Sequence, residues 1–81
     1  MTNLEKYLNA FTDTFEISEK AAREASYKET DEWDSVGHMR LINALEDAFD
    51  VMMDTDDIID FGSYEKGKEI LAKEAYGVEI E

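Results

Sequence analysis

Two side chains that could act as a nucleophile and a base lie one helical turn apart in DEWDSVGHMRLINALEDAFD, residues 31–50. Ser35 carries a hydroxyl, and His38, the only histidine of the chain, carries an imidazole. Such a pair suggests nucleophilic catalysis, but the chain has no Gly-x-Ser-x-Gly elbow and no recognisable oxyanion hole. Its 81 residues also leave little room for a substrate cleft. We therefore expect that the protein is not an enzyme and that His38 is an exposed helix residue.

The acidic run that follows this segment matches part of a calcium-binding loop. A loop that starts at Asp54 would have aspartate at positions 1, 3 and 7 and Glu65 at position 12. Positions 5 and 6 would be Ile58 and Ile59, where the pattern requires an oxygen ligand and a glycine. We therefore expect no metal site here and assign both isoleucines to the hydrophobic core.

Ser35 has a second interpretation, as a site of covalent attachment. Serine and aspartate are both preferred at helix N-termini, because their side chains accept hydrogen bonds from unpaired amides. Since Asp34 can cap the helix as well as Ser35 can, one of the two is not needed for capping. A phosphodiester on the Ser35 hydroxyl would place its negative charge beside the positive end of the helix dipole. Ser35 is suited to attachment, although capping alone would also explain its presence.

The elements that position Ser35 are predicted to be helices. The pattern favours an all-α four-helix bundle, in which three longer helices are joined by one short third helix. The first helix begins at a capping box that runs from Thr2 to Glu5 and continues with apolar residues at helical spacing. The second helix begins at Ser35 and ends at Phe49 or Asp50.

The remaining segments are predicted to be shorter. Residues 18–33 form a long connection with one helical turn, anchored to the core by Tyr27 and Trp33. DTDDIIDFGS contains the short third helix, and Ser63 caps a last helix over YEKGKEILAKEAY. Gly67 within that helix indicates a close helix contact, and the tail GVEIE is expected to fray.

The second helix is amphipathic. Its apolar arc faces the core and comprises Leu41, Ile42, Ala44, Leu45, Ala48 and Phe49. Two apolar residues, Val36 and Met39, fall in the opposite polar arc, within about a turn of Ser35. Because single exposed apolar residues are common, this placement is only weak support for a docking site.

The charge is strongly one-sided, with 21 acidic residues against 8 basic ones and a net charge of -13. Nucleic acid and acidic membrane surfaces are unfavourable partners for such a chain, because their recognition needs clustered lysine and arginine. The charge favours cationic partner proteins, whose approach it would steer. A simpler explanation is that the charge keeps a small protein soluble and monomeric.

Composition and length limit the remaining classes. Cysteine is absent, which excludes disulfides and thiolate metal sites, so any thiol chemistry must come from a cofactor. We predict one domain over residues 1–81 and no membrane insertion, because no apolar run is long enough to span a bilayer. The N-terminus lacks the features of a signal peptide, so we expect a cytoplasmic protein.

Residues 34–58 resemble the acyl carrier proteins. The signature of that family is Asp-Ser-Leu, or a close variant, at the start of a helix that ends in a segment similar to LEDAFD. Asp34, Ser35 and Val36 match the motif with valine for the usual leucine. Leu45, Glu46 and Phe49 match the end of the helix. DTDDIIDFGSYEKGKEIL matches the short third helix and the start of the fourth, so the resemblance covers nearly the whole chain.

The resemblance implies that Ser35 carries phosphopantetheine, with Asp34 as part of the attachment motif. A separate magnesium-dependent phosphopantetheinyl transferase would add the group from coenzyme A, and its terminal thiol would carry acyl groups as thioesters. The implied partners are acyl-loading, condensing or transfer enzymes with basic docking patches. The implied partner-binding residues are Val36, Met39, Glu46, Asp47, Asp56 and Asp57. The core would part to shelter an acyl chain, lined by Ile42, Leu45, Phe49, Ile59 and Leu71.

Three positions depart from the carriers of fatty acid synthesis. Trp33 replaces a small residue, and Arg40 and Asn43 stand where an acidic and an apolar residue are common. The docking face is therefore less uniformly acidic, which resembles carriers of a dedicated polyketide, peptide, lipid or glycan-modification pathway. The alternative is an acidic helical protein-interaction module that is never modified, in which Ser35 is only a cap.

Overall fold

The computed structural model of the protein describes residues 2–80 and is mostly helical, which confirms the predicted all-α class. Five helices follow one another in this part of the chain. They are α1 (Asn3–Phe15), α2 (Glu19–Arg23), α3 (Ser35–Phe49), α4 (Thr55–Asp60) and α5 (Tyr64–Leu71). None of these helices combines the length and the apolar character that a membrane span requires.

The predicted helix starts are confirmed by their caps. The Glu5 amide donates to the Thr2 hydroxyl over 3.1 Å, and the Thr2 amide donates back to the Glu5 carboxylate over 2.9 Å. These reciprocal bonds form the expected capping box of α1. Ser18 caps α2, the helical turn expected in the connection, and Ser63 caps α5. Helix α3 ends as predicted, with Asp50 in the left-handed conformation after the last helical residue.

The core contains a cluster of six aromatic rings. Tyr7, Phe11 and Phe15 of α1 pack against rings from the rest of the chain, namely Trp33, Phe61 and Tyr64. Neighbouring ring centroids lie 4.9 to 6.3 Å apart, mostly in edge-to-face or tilted arrangements that suit aromatic packing. Helix α3 adds the fully buried Leu41, Ile42 and Leu45, and α5 adds Ile70 and Leu71.

Helix α5 approaches the aromatic cluster closely at Gly67. A methyl group added at this position would overlap the Phe61 ring and the Tyr7 hydroxyl. The predicted close contact is therefore confirmed, and its partners are side chains of the core. The Tyr7 hydroxyl itself donates a hydrogen bond of 2.5 Å to the Tyr64 carbonyl, which joins the start of α5 to α1.

The connection after α2 is fixed by backbone hydrogen bonds. Ser26 and Ser63 form an isolated antiparallel bridge, in which the Tyr27 amide donates to Gly62 and the Tyr64 amide donates to Ala25. These two bonds measure 2.9 and 3.1 Å. The expected anchors of the connection are confirmed, since Trp33 is fully buried and Tyr27 packs partly buried against the core.

Three expectations about the second half of the chain were wrong. Ile59 is 73% exposed, because α4 is a single short helix that turns Ile58 towards the core and its neighbour away from it. Helix α5 ends at Leu71 rather than near Tyr76. The tail does not fray as far as residue 80: the amide of the buried Val78 donates to the Leu71 carbonyl over 2.8 Å.

Candidate functional site at the start of helix α3

Asp34, and not Ser35, caps helix α3. Its carboxylate accepts a hydrogen bond of 2.8 Å from the Gly37 amide, and its carbonyl accepts the first intrahelical bond from His38 over 2.7 Å. Ser35 is the first helical residue and is exposed. Its hydroxyl lies 3.2 Å from the Tyr27 hydroxyl, close enough for a hydrogen bond in either direction. The sequence allowed either residue to cap, and the geometry leaves the serine hydroxyl on the surface.

Gly37 holds the chain that precedes the helix close to its first turn. A methyl group at Gly37 would overlap the Glu32 carbonyl oxygen and would lie 3.2 Å from the Phe15 ring. Only glycine therefore allows the segment before α3 to cross the helix at this distance. Gly37 was not among the predicted site residues. A glycine inside the first turn of a predicted helix, where it lowers helix propensity, was the available signal.

His38 is half-buried and hydrogen-bonded on both ring nitrogens, so its predicted exposure was wrong. The indole N–H of Trp33 donates to His38 Nδ1 over 2.8 Å. His38 Nε2 lies 2.7 Å from the Ile58 carbonyl oxygen. Because an indole only donates and a carbonyl only accepts, both contacts are satisfied together when Nδ1 accepts and Nε2 donates. His38 thus links the start of α3 to α4, and it is not placed to activate Ser35.

A shallow cleft of about 370 Å³ opens beside Ser35, between α3 and α4. Its walls are mainly apolar, with the Tyr27 hydroxyl and the His38 ring as polar exceptions besides the serine. The lining residues are Tyr27, Ser35, His38, Met39, Ile58, Ile59 and Phe61. Ile59, expected in an acyl pocket within the core, therefore belongs to an exposed cleft at the surface.

The expected docking residues fall into two groups. Val36 is 70% exposed and Met39 is 48% exposed, and the carboxylates of Asp47 and Asp56 are also exposed. These four residues are free to meet a partner. Glu46 is only half-exposed, because its carboxylate accepts a hydrogen bond of 2.9 Å from the Met53 amide and so stabilises the turn after α3.

Asp57 does not present its carboxylate to a partner, contrary to expectation. The residue is 8% exposed, with Lys73 Nζ 2.6 Å from one carboxylate oxygen and the Tyr76 hydroxyl 2.5 Å from the other. Hydrogen bonds from Lys73 and then from Tyr76 hold the pKa of Asp57 below its usual range. Its role is to fasten the segment after α5 onto α4.

Four of the five residues expected to line an acyl pocket lie in or against the core, and the fifth does not. Ile42, Leu45 and Leu71 are fully buried in the continuous core, and Phe49 packs partly buried against it. Ile59 lies outside that core. Within residues 2–80, no group of three or more histidine, aspartate or glutamate side chains converges to hold a metal ion.

Comparison with protein-family models, with curated proteins and with solved structures gave no match for this chain. The function of the protein is therefore inferred from the residues around Ser35.

Proposed function

We propose that the protein is an acyl carrier whose Ser35 hydroxyl bears phosphopantetheine, on a four-helix bundle of the carrier type with α2 as a turn in the first connection. Partner enzymes would load, modify and remove acyl groups held as thioesters. One observation carries the proposal: Ser35 is exposed at the first position of α3 while Asp34 performs the capping. A hydroxyl that is not needed for the helix is then free for covalent attachment.

The residues around Ser35 fit a phosphodiester. Helix α3 is 15 residues long, and its positive N-terminal end favours the negative charge of a phosphate. Attachment requires a bond from Ser35 Oγ to the phosphate of the pantetheine half of coenzyme A. The phosphoanhydride bond breaks, adenosine bisphosphate leaves, and the hydroxyl proton passes to the transferase. The group would supply the thiol that the chain itself lacks.

The surface beside Ser35 supports docking of basic partner enzymes. Val36 and Met39 offer exposed apolar area next to the attachment residue, and Asp47 and Asp56 offer exposed carboxylates. The net charge of -13 would steer cationic partners towards the carrier. The bound phosphopantetheinyl transferase and the acyl-processing enzymes would share this surface.

The alternative is an acidic interaction module that is never modified. The same exposed apolar and acidic residues favour it, because they would serve a partner protein whether or not Ser35 is modified. In this interpretation Ser35 would only cap the helix. Because Asp34 caps α3, the Ser35 hydroxyl is left without a role.

The test is intact mass before and after incubation with coenzyme A, magnesium and a broad-specificity phosphopantetheinyl transferase. We expect one added phosphopantetheine on the parent and none on Ser35→Ala. Because Asp34 retains the cap, Ser35→Ala should keep the parent's stability within about 0.5 kcal/mol, so a loss of modification cannot reflect unfolding. No mass gain with a transferase that modifies another carrier would overturn the proposal, and so would equal gain on both variants.

A further inference from the structure

The boundary between the Ser35 cleft and the core is closed by polar contacts. His38 on α3 bonds the Ile58 carbonyl on α4, and on its other side it accepts the indole hydrogen of Trp33. The Trp33 ring is fully buried and packs against Phe11 and Phe15 at centroid distances of 5.4 and 5.5 Å. We call His38 and its two hydrogen-bond partners the His38 gate.

An alkyl chain that passed from this cleft between α3 and α4 at His38 would have to open the His38 gate. Helices joined by apolar contacts alone can part around an alkyl chain, since the chain replaces the contacts that are lost. The methylene groups of an alkyl chain offer no acceptor for the Trp33 indole hydrogen and no donor for the Ile58 carbonyl. Opening the gate would leave the buried Trp33 indole without an acceptor, which is unfavourable. It would also remove one of the two hydrogen bonds of the Ile58 carbonyl, which accepts from the Phe61 amide as well.

The space behind the gate is already filled. Phe61 stacks with Phe11 at 6.3 Å and contacts the His38 ring at the same centroid distance. Leu41, fully buried on α3, belongs to the same continuous core. A chain that entered would have to displace rings as well as break hydrogen bonds, and close-packed interiors resist such displacement.

Resting on the proposed carrier function, we infer that the His38 gate keeps the acyl group outside the core, so that the cargo is a short or polar acyl group. The cleft of about 370 Å³ supports this class, because it presents the Tyr27 hydroxyl beside the apolar Met39 and Ile59. A thioester held there stays accessible to solvent and to partner enzymes. The gate, rather than a lipid pocket, then determines what the carrier holds.

The experiment transfers acylated arms of increasing length onto Ser35, using acetyl-, hexanoyl- and decanoyl-coenzyme A with the transferase. Intact mass first establishes each loaded species, and its melting temperature (Tm) is then compared with that of the unacylated carrier. A chain buried in the core stabilises the folded state as a bound ligand does, so Tm would rise with length. For the parent, we expect a Tm that does not change with acyl chain length. We also expect the rate of thioester cleavage by hydroxylamine to be the same for all three lengths.

The matched variants are His38→Leu and Arg40→Leu. His38→Leu removes the bond to Ile58 and makes the boundary apolar, so Tm should begin to rise with chain length. Arg40→Leu adds the same side chain at an exposed position of α3 and should keep a Tm that does not change with chain length. If His38→Leu does not fold, the dependence of the parent's Tm on acyl chain length tests the inference by itself.

A parent Tm that rises steadily with chain length, with slower cleavage of the longest thioester, would overturn the cargo inference and leave the carrier function intact. Failure of the mass step would overturn the carrier function, and the cargo inference with it.

Discussion

Tyr76 and Asp57 are joined by a hydrogen bond of 2.5 Å from the tyrosine hydroxyl to the carboxylate. The same hydroxyl accepts the amide hydrogen of Asp54 over 2.9 Å, and Lys73 binds the other oxygen of Asp57. The segment after α5 is thus tied both to the N-cap residue of α4 and to its first turn. The ionised carboxylate of Asp57 therefore stabilises the fold, and the free energy of unfolding should depend on pH in the acid range.

We expect part of the protein's stability to be lost on acidification through protonation of Asp57. Hydrogen bonds from Lys73 and Tyr76 lower the pKa of Asp57 in the folded state. A lowered pKa contributes stability that is fully present above the unfolded-state pKa of about 3.9 and is lost as pH falls through the folded-state pKa. Urea unfolding below about pH 5 measures this dependence.

The matched variants for the acid dependence are Asp57→Asn and Asp56→Asn. Asp57→Asn removes the titrating group, so its unfolding midpoint should change less with pH over the acid range. Asp56 is exposed one residue earlier in the same helix, and Asp56→Asn should keep the parent's dependence. The assignment fails if Asp57→Asn loses stability in acid as steeply as the parent does.

His38→Ala should destabilise the protein by about 1–3 kcal/mol, because it leaves the buried indole N–H of Trp33 without an acceptor. Urea unfolding followed by the fluorescence of Trp33, the only tryptophan, measures the loss. Arg40→Ala changes an exposed residue of the same helix and should stay within about 0.5 kcal/mol of the parent. Equal effects of the two variants would contradict a structural role for the His38 bonds.

Gly67→Ala should destabilise the protein, although alanine is the better helix former by about 1 kcal/mol. The added methyl group would overlap Phe61 and Tyr7, and overpacking of this kind costs about 1–3 kcal/mol. Gly62→Ala is the control, since its methyl group would meet the nearest atom, the Asp60 carbonyl oxygen, at an ordinary 3.8 Å. Thermal unfolding by circular dichroism compares the two, and a stabilised Gly67→Ala would refute the close contact.

Features that depend on neighbours in the sequence could be predicted. The capping box at Thr2, the cap at Ser63 and the span of α3 are set by residues within a few positions of one another, so their signals are local. The ambiguity between Asp34 and Ser35 was also visible. The sequence could not show which of the two residues caps α3, because this depends on which side chain the first turn directs towards the Gly37 amide.

Features that depend on distant residues could not be predicted. His38 looked exposed because its bond to Ile58 forms only when α4 packs against α3. Asp57 looked available to partners because Lys73 and Tyr76, which bind it, come later in the chain. Ile59 was assigned to the core because two adjacent isoleucines in one short helix carry no periodic signal that separates the inner from the outer residue.

The bridge between Ser26 and Ser63 has a consequence for the order in which the protein folds. Contacts within a helix form early because their partners are close in the chain. This bridge instead requires the closure of a long loop that contains α3 and α4. Tyr27 belongs to the bridged segment and donates its own amide to Gly62. The Tyr27 and Ser35 hydroxyls are only eight residues apart and can meet before this loop closes, whereas closure then fixes the segment that carries Tyr27 against Gly62.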